Sequence, residues 1–94
     1  MTSGAARLPK GYWGAYAVTK SALETMTKVW AAELANTDVR VNLLSPGATR
    51  TGMRATAFPG EDPMTLKTPD DVGEVFVELA SADCQRHGEL VEVT

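Results

Sequence analysis

Basic side chains, cysteines and long apolar runs are all scarce in this sequence of 94 residues. Nine Lys and Arg residues stand against twelve Asp and Glu residues and form no basic stripe, which argues against nucleic acid as a partner. Cys84 is the only cysteine, so an internal disulfide is excluded and a reducing cytoplasm is favoured. No apolar stretch approaches the roughly 20 residues that cross a bilayer. We therefore expect a cytoplasmic protein that binds neither nucleic acid nor a membrane.

The apolar pattern that is present predicts helix, strand, loop, helix and strand in that order. Residues 13–36 carry two adjacent apolar stripes at helical spacing, which predicts a helix that is buried on two sides. The stripes comprise Ala15, Val18, Ala22, Met26 and Val29 in the first, and Leu23, Trp30 and Leu34 in the second. Residues 39–44 contain β-branched side chains and end shortly before Pro46, so they predict a buried strand.

A second helix is predicted to start at Thr68, where a capping hydroxyl is followed by Pro69 and two aspartates. Residues 90–93 predict a last strand. A helix between two strands implies a right-handed crossover and a parallel strand pair, which is an α/β architecture. A parallel sheet needs helices on both faces, and two strands with two helices cannot supply them. The sequence therefore predicts the back half of a larger domain, with residues 1–3 as the tail of an earlier strand.

Tyr16 and Lys20 lie four positions apart at the start of the first predicted helix. Positions with this spacing stack on one helix face, so the phenol and the ammonium group can serve one site. A nearby cation favours the phenolate and makes a tyrosine usable as a general acid or base. Taken alone, the pair is also compatible with an ordinary amphipathic helix start.

Four motifs, taken together, resemble the short-chain dehydrogenase/reductase family. They are Thr2-Ser3, Tyr16-Ala17-Val18-Thr19-Lys20, Val39-Arg40-Val41-Asn42 and Pro46-Gly47-Ala48-Thr49-Arg50-Thr51. Residues 68–94 are also similar to the family's last helix and strand. The resemblance implies that residues 1–94 form the carboxyl-terminal, substrate-side part of a Rossmann-like doubly wound parallel sheet. This part would have about two strands, two to three helices and no second domain.

By this resemblance, Tyr16 is the catalytic acid/base, which passes a proton to or from the substrate oxygen while a hydride moves to or from the nicotinamide of NAD or NADP. Lys20 would favour the reactive form of Tyr16 and bond the nicotinamide ribose. Ser3 would hold the oxygen of a small alcohol or carbonyl substrate. The residues implied to contact the cofactor are Tyr16, Lys20, Pro46, Gly47, Thr49 and Thr51.

The family's glycine-rich turn, which receives the pyrophosphate at a helix amino terminus, is absent because none of the eight glycines forms it. The residue that selects NAD or NADP and the family's catalytic asparagine are absent as well. We therefore expect an isolated chain that is inactive and that acts as a homo-oligomer or as the complement to a missing amino-terminal half. The alternative is a non-catalytic remnant that serves as an oligomerisation or interaction module.

Each candidate also has an ordinary structural interpretation. Ser3 or Thr51 alone is a helix cap, and the proline-glycine pair alone is a turn. Cys84 and His87 have a spacing that can bind a metal, but two ligands without partners predict no metal site. An irregular segment carries apolar side chains among prolines and a glycine, namely Met53, Phe58, Met64 and Leu66. It is predicted to be either a mobile substrate lid or a loop that caps the core.

Overall fold

The computed structural model describes residues 1–93 and places the predicted elements in the predicted order. These elements are α1 (Gly14–Glu33), β1 (Leu43–Ser45), α2 (Gly52–Ala57), α3 (Pro69–Ala80) and β2 (Leu90–Glu92), with 3-10 turns at Gly4–Ala6 and Pro63–Thr65. The two strands pair in parallel, with Leu43 opposite Leu90. The α/β class and the parallel pair are thus confirmed. None of the helices in residues 1–93 is long and apolar enough to cross a membrane.

The first strand is shorter than the sequence predicts, because side chains replace part of the ladder. Residues 39–44 were expected to be extended and paired, whereas β1 comprises Leu43–Ser45. Ahead of it, the Val41 amide donates to Nδ1 of His87 at 3.1 Å. The Asn42 side chain bonds the main chain just before β2 through both its amide nitrogen and its oxygen. These bonds satisfy polar groups that a longer strand would have paired with a neighbour.

The buried face of α1 is not the one that the apolar stripes predict. Its buried residues are Ala17, Glu24 and Thr27, whereas Val18 and Met26 of the first stripe are 67% and 45% exposed. Within residues 1–93 only one side of the helix is covered, so the prediction of burial on two sides stays a prediction. Thr27 can be buried because its hydroxyl donates to a main-chain carbonyl four residues earlier at 2.9 Å. Glu24 can be buried because its carboxylate accepts hydrogen bonds from neighbouring side chains.

Glu24 connects three parts of the chain. Its carboxylate accepts hydrogen bonds from the Thr2 hydroxyl and from the Arg7 guanidinium. The Thr2 amide in turn donates to the Leu44 carbonyl at 2.8 Å, so residues 1–3 lie beside β1 as expected for a strand tail. Arg7 also reaches Glu92 of β2 at 3.5 Å. The network holds the segment that carries Ser3 between α1 and the sheet.

The same network sets the charge state of Glu24. Burial alone would raise the pKa of this carboxyl, but hydrogen bonds from Thr2 and Arg7, with the charges of Arg7 and Lys28, outweigh it and hold the pKa below its ordinary value. A carboxyl with a lowered folded-state pKa stabilises the fold above its unfolded-state pKa of about 4.3. This contribution is lost as the pH falls through the folded-state pKa.

Replacing Glu24 by Gln should lower the free energy of unfolding at neutral pH by about 1–2 kcal/mol, because charge-assisted hydrogen bonds become neutral ones. The difference between the two proteins should shrink as the pH falls below about 4.3, the unfolded-state pKa, and should vanish below the lower folded-state pKa, where the native carboxylate takes up a proton. Urea unfolding followed by circular dichroism between pH 3 and 7, with both proteins at the same concentration, measures both effects. Glu33→Gln, at an exposed position of the same helix, is the matched control. A difference that does not change with pH would contradict the assigned role.

The start of α3 forms as the sequence predicts. The Thr68 hydroxyl accepts from the Asp71 amide at 3.3 Å, while the Asp71 carboxylate accepts from the Thr68 amide at 2.9 Å, which completes a capping box. The main-chain and side-chain hydrogen bonds from Thr68 lower the pKa of Asp71. Pro69 occupies the first turn. The cap fixes the position of the residue just before it, Lys67.

Candidate active site

The entry to α1 brings Tyr16 and Lys20 together on one helix face. The Lys20 ammonium lies 5.7 Å from the centroid of the Tyr16 ring. The same ammonium donates to the main-chain carbonyl of Met1 at 3.3 Å. Both side chains are half-buried. Lys20 therefore links the helix face to the segment that leads into Ser3.

Aromatic rings close one side of Tyr16. Trp13 packs edge-on against it, with the ring centroids 5.7 Å apart and the planes at 83°. Phe58, which ends α2, lies 6.0 Å from Trp13. Tyr12, which directly precedes Trp13 in the chain, is fully exposed and has a positive φ of 71°, which is uncommon outside glycine. Tyr16 is thus flanked on this side by an apolar wall that two distant segments build.

Ser3 lies beside the strand end but has a structural bond of its own. It caps the 3-10 turn at Gly4–Ala6, where its Oγ accepts from the Ala5 amide at 3.2 Å. The hydroxyl hydrogen stays available for donation, because the capping bond uses only the oxygen. Ser21 of α1 holds the end of the turn by donating to the Ala6 carbonyl at 3.2 Å.

The residues after β1 form a tight turn. Gly47 has a φ of 70°, and a Cβ at this position would lie 2.9 Å from the Lys67 ammonium nitrogen and 3.0 Å from the Val93 carbonyl oxygen. A side chain there would be strained by the positive φ and crowded by the Val93 carbonyl, so glycine suits this position. The Thr49 hydroxyl donates to the Gly47 carbonyl at 3.1 Å, and the Thr51 hydroxyl caps α2. Both hydroxyls thus have local structural partners, and their roles toward a cofactor stay predictions.

Residues 52–66 are ordered by a salt bridge. Arg54 and Glu61 pair in a bidentate arrangement, with nitrogen–oxygen distances of 2.8 and 2.9 Å. The hydrogen bonds of this pair lower the pKa of Glu61 and raise that of Arg54. The Arg54 guanidinium also stacks on the Phe58 ring, 3.8 Å from its centroid. The pair therefore holds Phe58 against Trp13, while Met53 and Met64 are 66% and 74% exposed.

Two polar groups that the sequence analysis passed over support this site. Lys67 donates to the carbonyls of Pro46 and Ala48, and Glu24 anchors the segment that contains Ser3. Neither has a partner at a helical or strand spacing, so no periodic signal could have identified them. His87 is a structural residue as well, because Nδ1 accepts from the Val41 amide and Nε2 lies 2.8 Å from the Ala31 carbonyl. The prediction of no bound metal stays a prediction.

Comparison with known proteins relates the chain to oxidoreductases. Residues 1–87 match a family described as enoyl-(acyl carrier protein) reductase. The oxidoreductase YciK of Escherichia coli K12 is 46% identical over 85 residues, which cover 90% of this chain and 33% of that protein. The FabG 3-oxoacyl-(acyl-carrier-protein) reductase of Thermotoga maritima is 36% identical over 74 residues, covering 70% of this chain and 30% of that protein. The chain thus spans about a third of the curated relatives it matches.

Solved structures give the same relation. A short-chain dehydrogenase of Salmonella enterica serovar Typhi superposes with a TM-score of 0.91 at 43% identity, over 97% of this chain and 38% of that one. A short-chain dehydrogenase of Shigella flexneri, solved as a complex with NADP, superposes with a TM-score of 0.88 at 41% identity, with the same coverage. The predicted Rossmann-like α/β arrangement is confirmed by these superpositions.

Proposed function

The chain belongs to the short-chain dehydrogenase/reductase family, and on this premise we propose that it is the substrate-side part of an oxidoreductase that interconverts an alcohol and a carbonyl with NAD or NADP. The observation that carries the proposal is the placement of Tyr16 and Lys20 on one helix face. Lys20 is bonded there to the segment that leads into Ser3.

Three side chains of this chain act on the substrate and the cofactor in the proposal. The Tyr16 hydroxyl donates a proton to the substrate oxygen during reduction and accepts it during oxidation. Lys20 uses one of its three N–H donors on the Met1 carbonyl, which leaves two for ribose hydroxyls. Ser3 donates its hydroxyl hydrogen to the substrate oxygen and stabilises the charge that develops there.

The turn after β1 fits the nicotinamide end of a dinucleotide. It lies at the carboxyl end of a parallel strand, where open α/β sheets bind ligands. The amides of Gly47 and Thr49 donate no hydrogen bond to any residue within the range 1–93, so they are available to a ligand. When bound, the nicotinamide would exchange a hydride with the carbon of the substrate.

The wall beside Tyr16 favours a class of substrate. Trp13 and Phe58 present apolar ring surface next to the phenol. A carbonyl compound with an apolar substituent would bury that substituent against the rings. We therefore expect the enzyme to prefer aryl and branched alkyl aldehydes or ketones over charged ones.

The second candidate function is an interaction module without catalysis. It is favoured by the exposed apolar face of α1, where Val18, Met26 and Val29 are 67%, 45% and 44% exposed. The two functions predict different results when a dinucleotide-binding region is joined to this chain. A catalytic part gains turnover, whereas an interaction module gains none.

A hybrid protein tests this difference. The amino-terminal region of the Shigella flexneri dehydrogenase, whose structure contains NADP, is joined to residues 1–94 of this chain. We expect the hybrid to bind NADPH, seen as a change in NADPH fluorescence, and to oxidise it in the presence of apolar carbonyl compounds. Residues 1–94 alone are the control and should do neither. A folded hybrid that binds NADPH but reduces no compound of an aldehyde and ketone panel would contradict the catalytic proposal.

A further inference from the structure

The Lys67 ammonium group is bonded to the turn after β1 at two points. Its Nζ donates to the Pro46 carbonyl at 2.8 Å and to the Ala48 carbonyl at 3.1 Å. The side chain is half-buried and forms no ion pair with any carboxylate in residues 1–93. A lysine whose two hydrogen bonds both go to main-chain carbonyls is a strong donor that fixes the shape of one turn.

These two bonds fix the direction of two amides. All peptide bonds among the described residues are trans, so the N–H of each peptide points away from its carbonyl. Because the Pro46 carbonyl faces Lys67, the Gly47 amide points to the opposite side. The Ala48 carbonyl and the Thr49 amide have the same relation. The two amides thus point away from the ammonium group, and neither donates a hydrogen bond to another residue in the range 1–93.

The main chain of Lys67 is held in place by a hydrogen bond to its own carbonyl and by the helix cap that follows it. Its carbonyl accepts from the Arg50 amide at 2.9 Å, which ties its main chain to the far end of the same turn. The next residue, Thr68, is fixed by the capping box of α3. A side chain at Gly47 would collide with the ammonium nitrogen. The glycine, the lysine and the helix cap are therefore mutually dependent parts of one arrangement.

We infer that Lys67 is a positioning residue for the cofactor: by holding the Pro46 and Ala48 carbonyls, it directs the Gly47 and Thr49 amides toward the nicotinamide end of NAD or NADP. The inference rests on the proposed function, because it assumes that this turn meets the cofactor. Lys67 acts through the turn, so it touches neither the substrate nor the transferred hydrogen.

The first measurement uses the hybrid protein described above. Lys67→Met removes the ammonium group while keeping a long unbranched side chain, and should weaken NADPH binding about tenfold, the loss of roughly one charge-assisted hydrogen bond. Lys10→Met, at an exposed lysine whose side chain makes no hydrogen bond to residues 1–93, is the matched control and should leave the affinity unchanged. Fluorescence titration with NADPH gives both dissociation constants.

The second measurement follows the amides directly and needs no turnover. In the hybrid labelled with [15N]glycine and [15N]threonine, Lys67→Met should move the Gly47 and Thr49 cross-peaks before any cofactor is added, and should reduce their response to NADPH. Lys67→Cys in a Cys84→Ser background, treated with 2-bromoethylamine, rebuilds an ammonium group of the same reach. This treatment should restore both the cross-peaks and the affinity.

The outcomes separate the inference from the function on which it rests. If the unmutated hybrid folds and binds no NADPH, the proposed function fails, and the inference fails with it. If the unmutated hybrid binds NADPH and Lys67→Met binds it equally well, only the inference is overturned. Moved cross-peaks with unchanged affinity also overturn it, because Lys67 then shapes the turn without serving the cofactor.

Discussion

Replacing Tyr16 by Phe in the hybrid protein should reduce the turnover of carbonyl substrates about 10²- to 10⁴-fold, the range that one positioned acid/base contributes. The ring remains and keeps its edge contact with Trp13, whereas the proton that must reach the substrate oxygen is lost. NADPH affinity should change little. Steady-state rates of NADPH oxidation and a fluorescence titration of NADPH measure the two quantities separately.

Tyr12→Phe is the matched control for this experiment. Tyr12 loses the same hydroxyl four residues earlier, but its side chain is fully exposed, so the rate should stay at the wild-type value. A Tyr16→Phe hybrid that turns over substrate as fast as the unmutated one would remove Tyr16 from the mechanism. An equal loss in both variants would point to a general effect on folding.

The 94-residue chain by itself should associate in solution rather than persist as a stable monomer. Its accessible surface is 6520 Å², whereas a folded chain of 10.0 kDa exposes about 5,200 Å². Its radius of gyration is 14.8 Å, against about 12 Å for a compact domain of this length. Among residues 1–93, the buried apolar residues are only four, namely Ala17, Leu43, Leu44 and Val72. So small a core leaves apolar surface that a partner or a second copy would cover.

Light scattering coupled to size exclusion tests the association. We expect a mass above 10.0 kDa that falls when Val18 and Met26 on the exposed face of α1 are both changed to Ser. Met64→Ser, at a 74% exposed methionine outside this face, should leave the mass unchanged. A monodisperse monomer with cooperative unfolding and micromolar affinity for NADH or NADPH would contradict both the association and the need for a further dinucleotide site.

The parts of the fold that local signals determine could be predicted from the sequence. Thr68 supplies a capping hydroxyl and Pro69 a first helical residue, and α3 begins at these positions. Tyr16 and Lys20 could be placed on one face because helical spacing alone requires it. The proline and glycine after β1 identified the turn, and Gly47 has the positive φ that such a turn uses. The parallel strand pair followed from the intervening helix.

The parts that long-range partners determine could not be predicted. Lys67 and Pro46 are 21 positions apart, and Thr2 and Glu24 are 22 apart, so no local pattern connects either pair. The apolar stripes indicated the wrong buried face of α1, because a carboxylate can be buried once Thr2 and Arg7 supply donors to it. Trp13 and Phe58 meet across a loop whose shape depends on a salt bridge between other residues.

The two-stranded sheet also has a consequence for the order of folding. Val41 and His87, which are bonded to each other just before the two strands, lie 46 positions apart. This long segment must fold back before any bond between β1 and β2 can form. The chain therefore loses conformational entropy on loop closure before the strand pairing can offset that loss. α3 depends on the local signals of its capping box and can form earlier. The Val93 amide reaches the Ser45 carbonyl, directly before the Pro46–Gly47 turn, only when β2 arrives. The turn that we propose meets the cofactor is therefore completed last, in the same event that closes the sheet.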